Sequence, residues 1–247
     1  MFEFQISLST LTVGISARYE KTMRSCEGYL CHEPEELFHV CASDDDLRKE
    51  AEFFSLRNGP DAKPLPQWQL ERSALYRLIA EEMVDHGRIL IHGSALSMDG
   101  NGYFFIAPSG TGKSTHSALW RKVFGERVVM VNDDKPLIHI CNDQAFVCGT
   151  PWDGKHHLST NIAVPLKGIC RIYRSDENRI ERLSKEDGMT RLLEQTYRSN
   201  QPARVLKTLE MLNMIADHIP VYALYCNMED EAALCAYEAM SEGDLTI

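Results

Sequence analysis

Ala107-Pro108-Ser109-Gly110-Thr111-Gly112-Lys113-Ser114 is the stretch whose residue types and spacing speak most directly of chemistry. Two glycines separated by one residue let a backbone turn its amides inward without a Cβ clash. Amides followed by a helix start form a cradle for an anion. The lysine after the second glycine is placed to reach the β- and γ-phosphates of a nucleotide, and the Ser114 hydroxyl suits a magnesium ligand. An apolar strand, Tyr103–Ile106, precedes the run and a helical stretch, Thr115–Phe124, follows it. That is the context a phosphate-binding loop requires. Ala107 stands where glycine is usual, and alanine is small enough to leave the loop its course. The expected nucleotide-binding residues are Ser109, Gly110, Thr111, Gly112, Lys113, Ser114 and Thr115. A glycine-rich turn without a ligand is the bland alternative, which the strand–loop–helix context disfavours.

Asp133 follows Ser114 by 19 positions, at the end of a buried strand, Val128–Val131, in the run Asn132-Asp133-Asp134. One such carboxylate can hold magnesium, directly or through water, while the other orients and deprotonates an attacking hydroxyl. Alone, the pair would read as a solvated turn leading into Lys135-Pro136; after the loop, at this spacing, it reads as functional. Gly149-Thr150-Pro151-Trp152-Asp153-Gly154-Lys155 specifies a tight loop after a strand. Lys155 would meet a transferred phosphoryl group or an acidic substrate, and Trp152 would flank the pocket or simply anchor the loop. His156 and His157, read as neighbours on a strand, would point to opposite faces and not chelate one ion. Cys26, Cys31, His32, His39 and Cys41 lack a zinc-finger spacing and read as buried strand residues. Arg171, Arg174, Arg198 and Arg204 are phosphate-clamp types without a pattern to single one out.

The elements that must position these groups come from periodicity. Phe2–Leu8 and Leu11–Ile15 alternate as two adjacent strands; Gly28–Leu30 and Leu37–Val40 are further strands. Ser43 before Asp44, Asp45 and Asp46 starts a helix, which Asn58-Gly59-Pro60 breaks. An amphipathic helix runs from about Gln69 to His86, ended by Gly87. Ile89–Ile91, a turn at Asp99–Gly102, and strands at Leu137–Ile140, Ala145–Val147 and Ile169–Tyr173 follow. The C-terminal part reads helix, helix, strand (Val221–Cys226), helix (Glu229–Met240), with a capping box at Ser184 and Asp187. The chain therefore divides into a small α+β N-terminal region, 1–87, and an α/β core, 88–247.

Composition sets the outer limits. The 247 residues are 44% hydrophobic and 25% charged, ordinary for a globular chain that needs no metal or disulfide staple. A net charge of −10 argues against broad binding to nucleic acid or an anionic membrane. Eight scattered cysteines without a CxxC pair, no basic-then-apolar leader and no 20-residue apolar run predict a cytoplasmic protein with reduced thiols.

Ser109–Thr115 followed by Asp133-Asp134 resembles the nucleotide and metal motifs of the phosphoenolpyruvate carboxykinase (ATP) fold, and within it the HPr serine kinase/phosphorylase-like group. His92-Gly93, one hairpin before the loop, resembles that group's layout, as do Gly149–Lys155 and Pro220–Leu224. The resemblance spans roughly residues 88 to 247; residues 1–87 do not resemble the full kinase's N-terminal domain. It implies an α/β fold with a P-loop core, triphosphate binding by Gly110, Thr111, Gly112 and Lys113, metal binding by Ser114 and Asp134, Asp133 as general base, and His92 near the phosphates. The function so implied is ATP- and Mg2+-dependent transfer of the γ-phosphoryl group to a hydroxyl, on a protein or peptide serine or a small metabolite. A nucleotide-binding regulator without transferase activity is the alternative, disfavoured by the intact aspartate pair. A carboxykinase proper would be longer and carry a full set of oxaloacetate-binding arginines. Related kinases often form homo-oligomers, of which the sequence carries no sign.

Overall fold

The computed structural model describes residues 1–33, 35–59 and 61–241. They form two compact units, Met1–Met83 and Val84–Ile247.

In the first unit, β1 (Phe2–Leu8) and β2 (Leu11–Ala17) pair as an antiparallel hairpin, with Ser9 and Thr10 at positive φ in the turn. After a short α1 (Glu20–Arg24), β3 (Leu30–Cys31) adds to β1 and β4 (Phe38–Cys41) adds parallel to β2, giving the order β3-β1-β2-β4. The strand expected at Gly28–Leu30 is instead a 3-10 turn over Glu27–Tyr29, closed by the Tyr29 amide on the Cys26 carbonyl at 2.8 Å, and only Leu30–Cys31 extend. Ser43 caps α2 (Asp44–Asn58) in a reciprocal box with Asp46, and Gly59 ends it at φ +90°. Pro60 lies outside the described residues. α3 (Gln67–Met83) begins directly after Pro66, two residues earlier than its stripe predicts. Its Glu71 is 1% exposed and accepts from the Arg18 amide (2.6 Å) and the Thr22 hydroxyl (2.6 Å). These donors satisfy a buried carboxylate and tie α3 to the end of β2.

Ser16, His39 and Glu36 stand in line, with Ser16 Oγ 2.7 Å from His39 Nε2 and His39 Nδ1 3.0 Å from Glu36. The order is that of a nucleophile triad, but Ser16 donates its one proton to Glu3 at 2.7 Å. The ring nitrogen must then donate to the hydroxyl, so it cannot serve as its base.

In the second unit, Val84–His86 make a 3-10 turn closed by Gly87 at φ +69°. β5 (Arg88–Leu90), β6 (Ser94–Met98), β7 (Asn101–Ile106), α4 (Lys113–Phe124), β8 (Val128–Asn132), β9 (Leu137–Cys141) and β10 (Gln144–Cys148) follow. Then come β11 (Ala163–Arg174), β12 (Arg179–Arg182), α5 (Lys185–Gln195), α6 (Pro202–His218), β13 (Val221–Cys226) and α7 (Asp230–Ser241).

The sheet curls about β11. Its first residues, 163–165, pair with β10, and its later ones lie between β7 and β13, both parallel to it. β6 and β8 extend the far side of β7. Apolar residues alternate between faces. Ile91, Phe104, Ile106 and Ile169 pack on one side with Leu192, Leu212 and Ile215 of α5 and α6. Phe105, Cys170 and Ile172 pack on the other with Trp120 of α4 and Ala232 and Ala236 of α7. The carboxyl ends of β7, β8 and β11 thus meet at one edge of a sheet covered on both faces, where open α/β sheets place their ligands.

Gly93 fixes how closely β6 can start beside that edge. A Cβ there would sit 2.3 Å from the Phe104 ring and 2.7 Å from the Phe105 carbonyl oxygen. Gly93→Ala should therefore cost about 1–3 kcal/mol through overpacking and lower the melting temperature by several degrees. A calorimetric scan matching the unsubstituted protein would contradict this packing.

Candidate functional site

β7 delivers Ala107, fully buried, and the chain turns through Pro108–Gly112 into α4. Gly110 and Gly112 have φ of +78° and +129°, and a Cβ at either would meet nothing within 4 Å. Backbone conformation rather than space requires glycine at both. The Thr111 amide closes a turn on the Pro108 carbonyl at 3.3 Å. Lys113 is 7% exposed, and its Nζ donates to the carbonyls of Ala107 (2.9 Å) and Pro108 (3.4 Å), under the loop. The first intrahelical bond runs from the His116 amide to Gly112 at 2.9 Å, so the amides before it lack intrahelical acceptors. Arg174, at the end of β11, holds the loop from the other side by donating to the Thr111 carbonyl at 3.0 Å and to the Gly110 carbonyl.

Asn132, fully buried, ends β8 and organises the acidic pair. Its side chain donates to the Thr150 carbonyl at 2.9 Å and accepts the amides of Asp134 (2.9 Å) and Lys135 (2.6 Å), an Asx turn that sends consecutive carboxylates to different surroundings. Asp133 is 5% exposed and accepts the Gly154 amide at 2.6 Å. A Cβ on Gly154 would lie 2.8 Å from the other carboxylate oxygen, so glycine is what permits the approach. Burial pushes the Asp133 carboxyl above the usual aspartate range; the Gly154 amide opposes this, and the charges of Asp153 and Asp134 add to it.

Asp134 is half-buried and meets His92 Nε2 at 3.2 Å and Lys135 Nζ at 3.0 Å. Burial alone would raise it too, but the contacts of His92 and Lys135 outweigh burial and hold it well below the usual range. His92 is anchored on α5: its amide donates to the Gln195 carbonyl at 2.9 Å, and Nδ1 lies 3.2 Å from Gln195 Oε1. The Gly93 amide donates to the Asp134 carbonyl at 3.0 Å.

Two cavities flank α4. One, of about 460 Å³, is lined by Gly110, Thr111, His116, Leu119, Ile172 and Cys226 among others. The second, of about 310 Å³, is lined by Ser114, Arg121, Met130, Asp133, His156 and Leu158 among others. Ser114 and Asp133 are thus brought to one space. Lys155 is exposed, one residue beyond Gly154. Trp152 is 4% exposed, an anchor for the 149–154 loop. His156 and His157 lie at a turn rather than on a strand: His156 lines the second cavity, and His157 pairs with Asp153 at 3.2 Å.

Among the arginines, Arg204 pairs with Asp85 at 2.8 Å and Arg171 with Glu194 at 3.3 Å. Among the described residues no group of three or more His, Cys, Asp or Glu could hold a metal, no cysteine is disulfide-bonded, and no helix is long and apolar enough to cross a membrane. The sequence reading places Asn132 and Gly154 within their runs without the contacts they make to the acidic pair, and it omits Gln195. Only Asn132 carried a usable signal, an asparagine directly before two acids, which is an Asx-turn pattern.

No family model matches the chain, and no curated protein does. Among solved structures, the Hpr(Ser) kinase/phosphatase from Coxiella burnetii is similar over 62% of this chain and 99% of its own, at 12% identity and a TM-score of 0.34, a distant likeness of fold.

The depressed Asp134 group contributes stability above the ordinary aspartate pKa and loses it as pH falls through that range towards the folded value. Urea unfolding from about pH 6 down to about pH 3 should weaken the unsubstituted protein more steeply than Asp134→Asn. Parallel acid limbs would contradict the His92 and Lys135 contacts as the cause.

Proposed function

We propose that the second unit is an ATP-dependent phosphotransferase that moves a γ-phosphoryl group onto a hydroxyl. The observation that carries the reading is that Ser114, at the start of the helix after the glycine-rich loop, and the buried Asp133 carboxylate line the same cavity. In this reading Ser109, Gly110, Thr111, Gly112, Lys113, Ser114 and Thr115 hold the triphosphate. The loop amides and the positive end of α4 supply the anion cradle. Lys113 exchanges the Ala107 and Pro108 carbonyls for phosphate oxygens, which are stronger acceptors.

Asp133 takes the proton of the acceptor hydroxyl. The hydroxyl oxygen forms a bond to Pγ, the bond from Pγ to the β,γ-bridging oxygen breaks, and ADP leaves. Burial raises this carboxyl and so makes it a better base than an exposed aspartate. The Gly154 amide fixes its orientation and leaves the second oxygen for substrate. His92 keeps Asp134 ionised, and Lys155 lies close enough in sequence to Gly154 to meet the acceptor's side of the transfer.

The oxygen donors of Ser114 and Asp134 are of the kind Mg2+ prefers. When bound, the ion would neutralise charge on the phosphates. Opposite pKa directions in two adjacent carboxylates support the division of roles, Asp133 as base and Asp134 as metal ligand. The 310 Å³ cavity, with Arg121 and His156 at its wall, suits one side chain or a small metabolite as acceptor.

Incubation with γ-labelled ATP, Mg2+ and a cell lysate separated into large and small molecules tests the reading. Label should enter one fraction and be lost with Asp133→Asn, which should keep nucleotide affinity while transfer falls about 10²–10⁴-fold. Label that persists in the variant would remove the base from Asp133. ATP binding without transfer to either fraction would favour a nucleotide-dependent regulator. Lys113→Ala should lose most nucleotide affinity by calorimetry, and unchanged affinity would take the triphosphate away from this loop.

A further inference from the structure

The cavity of about 310 Å³ holds, besides Ser114 and Asp133, a charge that the transfer itself does not use. Ser114, Ser117, Ala118 and Arg121 line it from α4. Their spacing of three, four and seven residues puts them on one face of the helix. Arg121 stands two turns beyond Ser114, about 10 Å along the axis. Its neighbour Lys122 pairs with Asp230 at 2.7 Å, and Arg127 pairs with Asp99. The exposed Arg121 side chain has no hydrogen bond or ion pair among the described residues, in a chain with 36 acidic residues against 26 basic ones. The side chain of His156, another lining residue, has none either. An arginine without a carboxylate is ordinary on an open surface. This one lies in a concave site whose other end holds the proposed base.

The wall between the two ends offers little to a polar group. Ser117 is 2% exposed, and its hydroxyl meets that of Ser94 at 2.7 Å. Ala118, Met130 and Leu158 are apolar. The site therefore suits an occupant that is polar at both ends, with a hydroxyl at Asp133 and an anion at Arg121. The charge of Asp133 repels an anion and so keeps the charged end at the arginine. A guanidinium presents its N–H groups as a fork that fits one carboxylate. The volume lies at the lower end of the range for small-molecule sites.

We infer that the phosphoryl acceptor is a small hydroxylated carboxylate, held through its carboxylate by Arg121 with its hydroxyl at Asp133. This rests on the kinase reading of the site and, within it, selects the metabolite over the protein serine. In the transfer the acceptor oxygen bonds to Pγ, its proton passes to Asp133, the bond from Pγ to the bridging oxygen breaks, and ADP leaves. The acceptor's carboxylate stays paired with Arg121 throughout. Arg121 is thus a specificity-determining residue that touches the acceptor away from the reacting atoms.

The small-molecule fraction of a cell lysate is passed over a strong anion exchanger at about pH 10, where α-amino groups are neutral and carboxylates charged. Flow-through and salt eluate are returned to neutral pH and incubated with γ-labelled ATP, Mg2+ and the protein. The acceptor should be missing from the flow-through and present in the eluate. It should also survive alkaline phosphatase that is removed before the assay. With the eluate as acceptor, Arg121→Gln should raise KM about 10–100-fold, the effect of one lost charged contact. Its kcat should change less, and its affinity for ATP should match that of the unsubstituted protein. Arg121→Lys, which keeps the charge and loses the fork, should have an intermediate KM.

Acceptor in the flow-through, acceptor destroyed by phosphatase, label confined to macromolecules, or an unchanged KM in Arg121→Gln would each overturn the inference and leave the kinase reading standing. No transfer by the unsubstituted protein to any fraction would instead remove the kinase reading and the inference with it.

Discussion

The amide of Gly154 donating to the buried carboxylate of Asp133 is the contact on which the site depends. An aspartate 5% exposed would otherwise be protonated or turn towards water. The amide lets it remain a usable acceptor in a dry place, and the absence of a Cβ is what lets the two approach. The contact also ties the 149–154 loop to the end of β8. The Asn132 side chain makes the second tie, to Thr150. Between them, two strand ends and a loop become one rigid acidic corner, and a shift of either loop would move the carboxylate away from Ser114.

The opposite corner is built by different means. The glycine-rich loop has its own conformation from two positive-φ glycines, and it is fastened from inside by Lys113 and from outside by Arg174. The sheet brings the two corners together: β7 and β8 are both neighbours of β6, and β11 is the neighbour of β7 on its other side. α4 then stands between two cavities with different walls. The cavity on the side of β11 and β13 is rimmed by the loop and lined by His116. The cavity on the side of β8 has Asp133, Arg121 and His156. A nucleotide held at the start of α4 would have its phosphates between them, which is the arrangement a transfer from one side to the other requires.

Much of this could be read from residue order. Ser43 forms the full reciprocal box, and at Ser184 the hydroxyl accepts the Asp187 amide without the returning backbone bond that completes the expected box; both contacts were legible because their reach is only three residues. Strands with uninterrupted apolar runs, such as Val128–Asn132 and Val221–Cys226, lie where their pattern puts them. What escaped was structure held by distant partners. β6 carries Ser94 and Ser97 as fully or nearly buried residues, and the Ser94 hydroxyl meets that of Ser117 on α4 at 2.7 Å, so its serines broke the apolar pattern. The first half of β11 contains Pro165, which argues against a central strand; it pairs only at the edge where the sheet curls to β10. β12 is an edge strand of alternating charge whose Arg179 lies 3.6 Å over the Tyr225 ring, a contact 46 residues away in sequence. In the site, the loop and the acidic pair were legible from spacing. The partners that differentiate Asp133 from Asp134 were not, because Gly154, His92 and Gln195 come from three separate segments.

The division of labour between the two aspartates is the central claim, and it concerns proton affinity. Carboxyl 13C resonances of Asp133 and Asp134, followed through an acid titration of the nucleotide-free protein and assigned by Asp→Asn variants, measure it directly. The account predicts that Asp133 titrates above the ordinary aspartate range and Asp134 below it. The reverse order, or two aspartates titrating together as exposed residues do, would contradict the assignment of Asp133 as base and of Asp134 as the carboxylate kept charged for a metal ion.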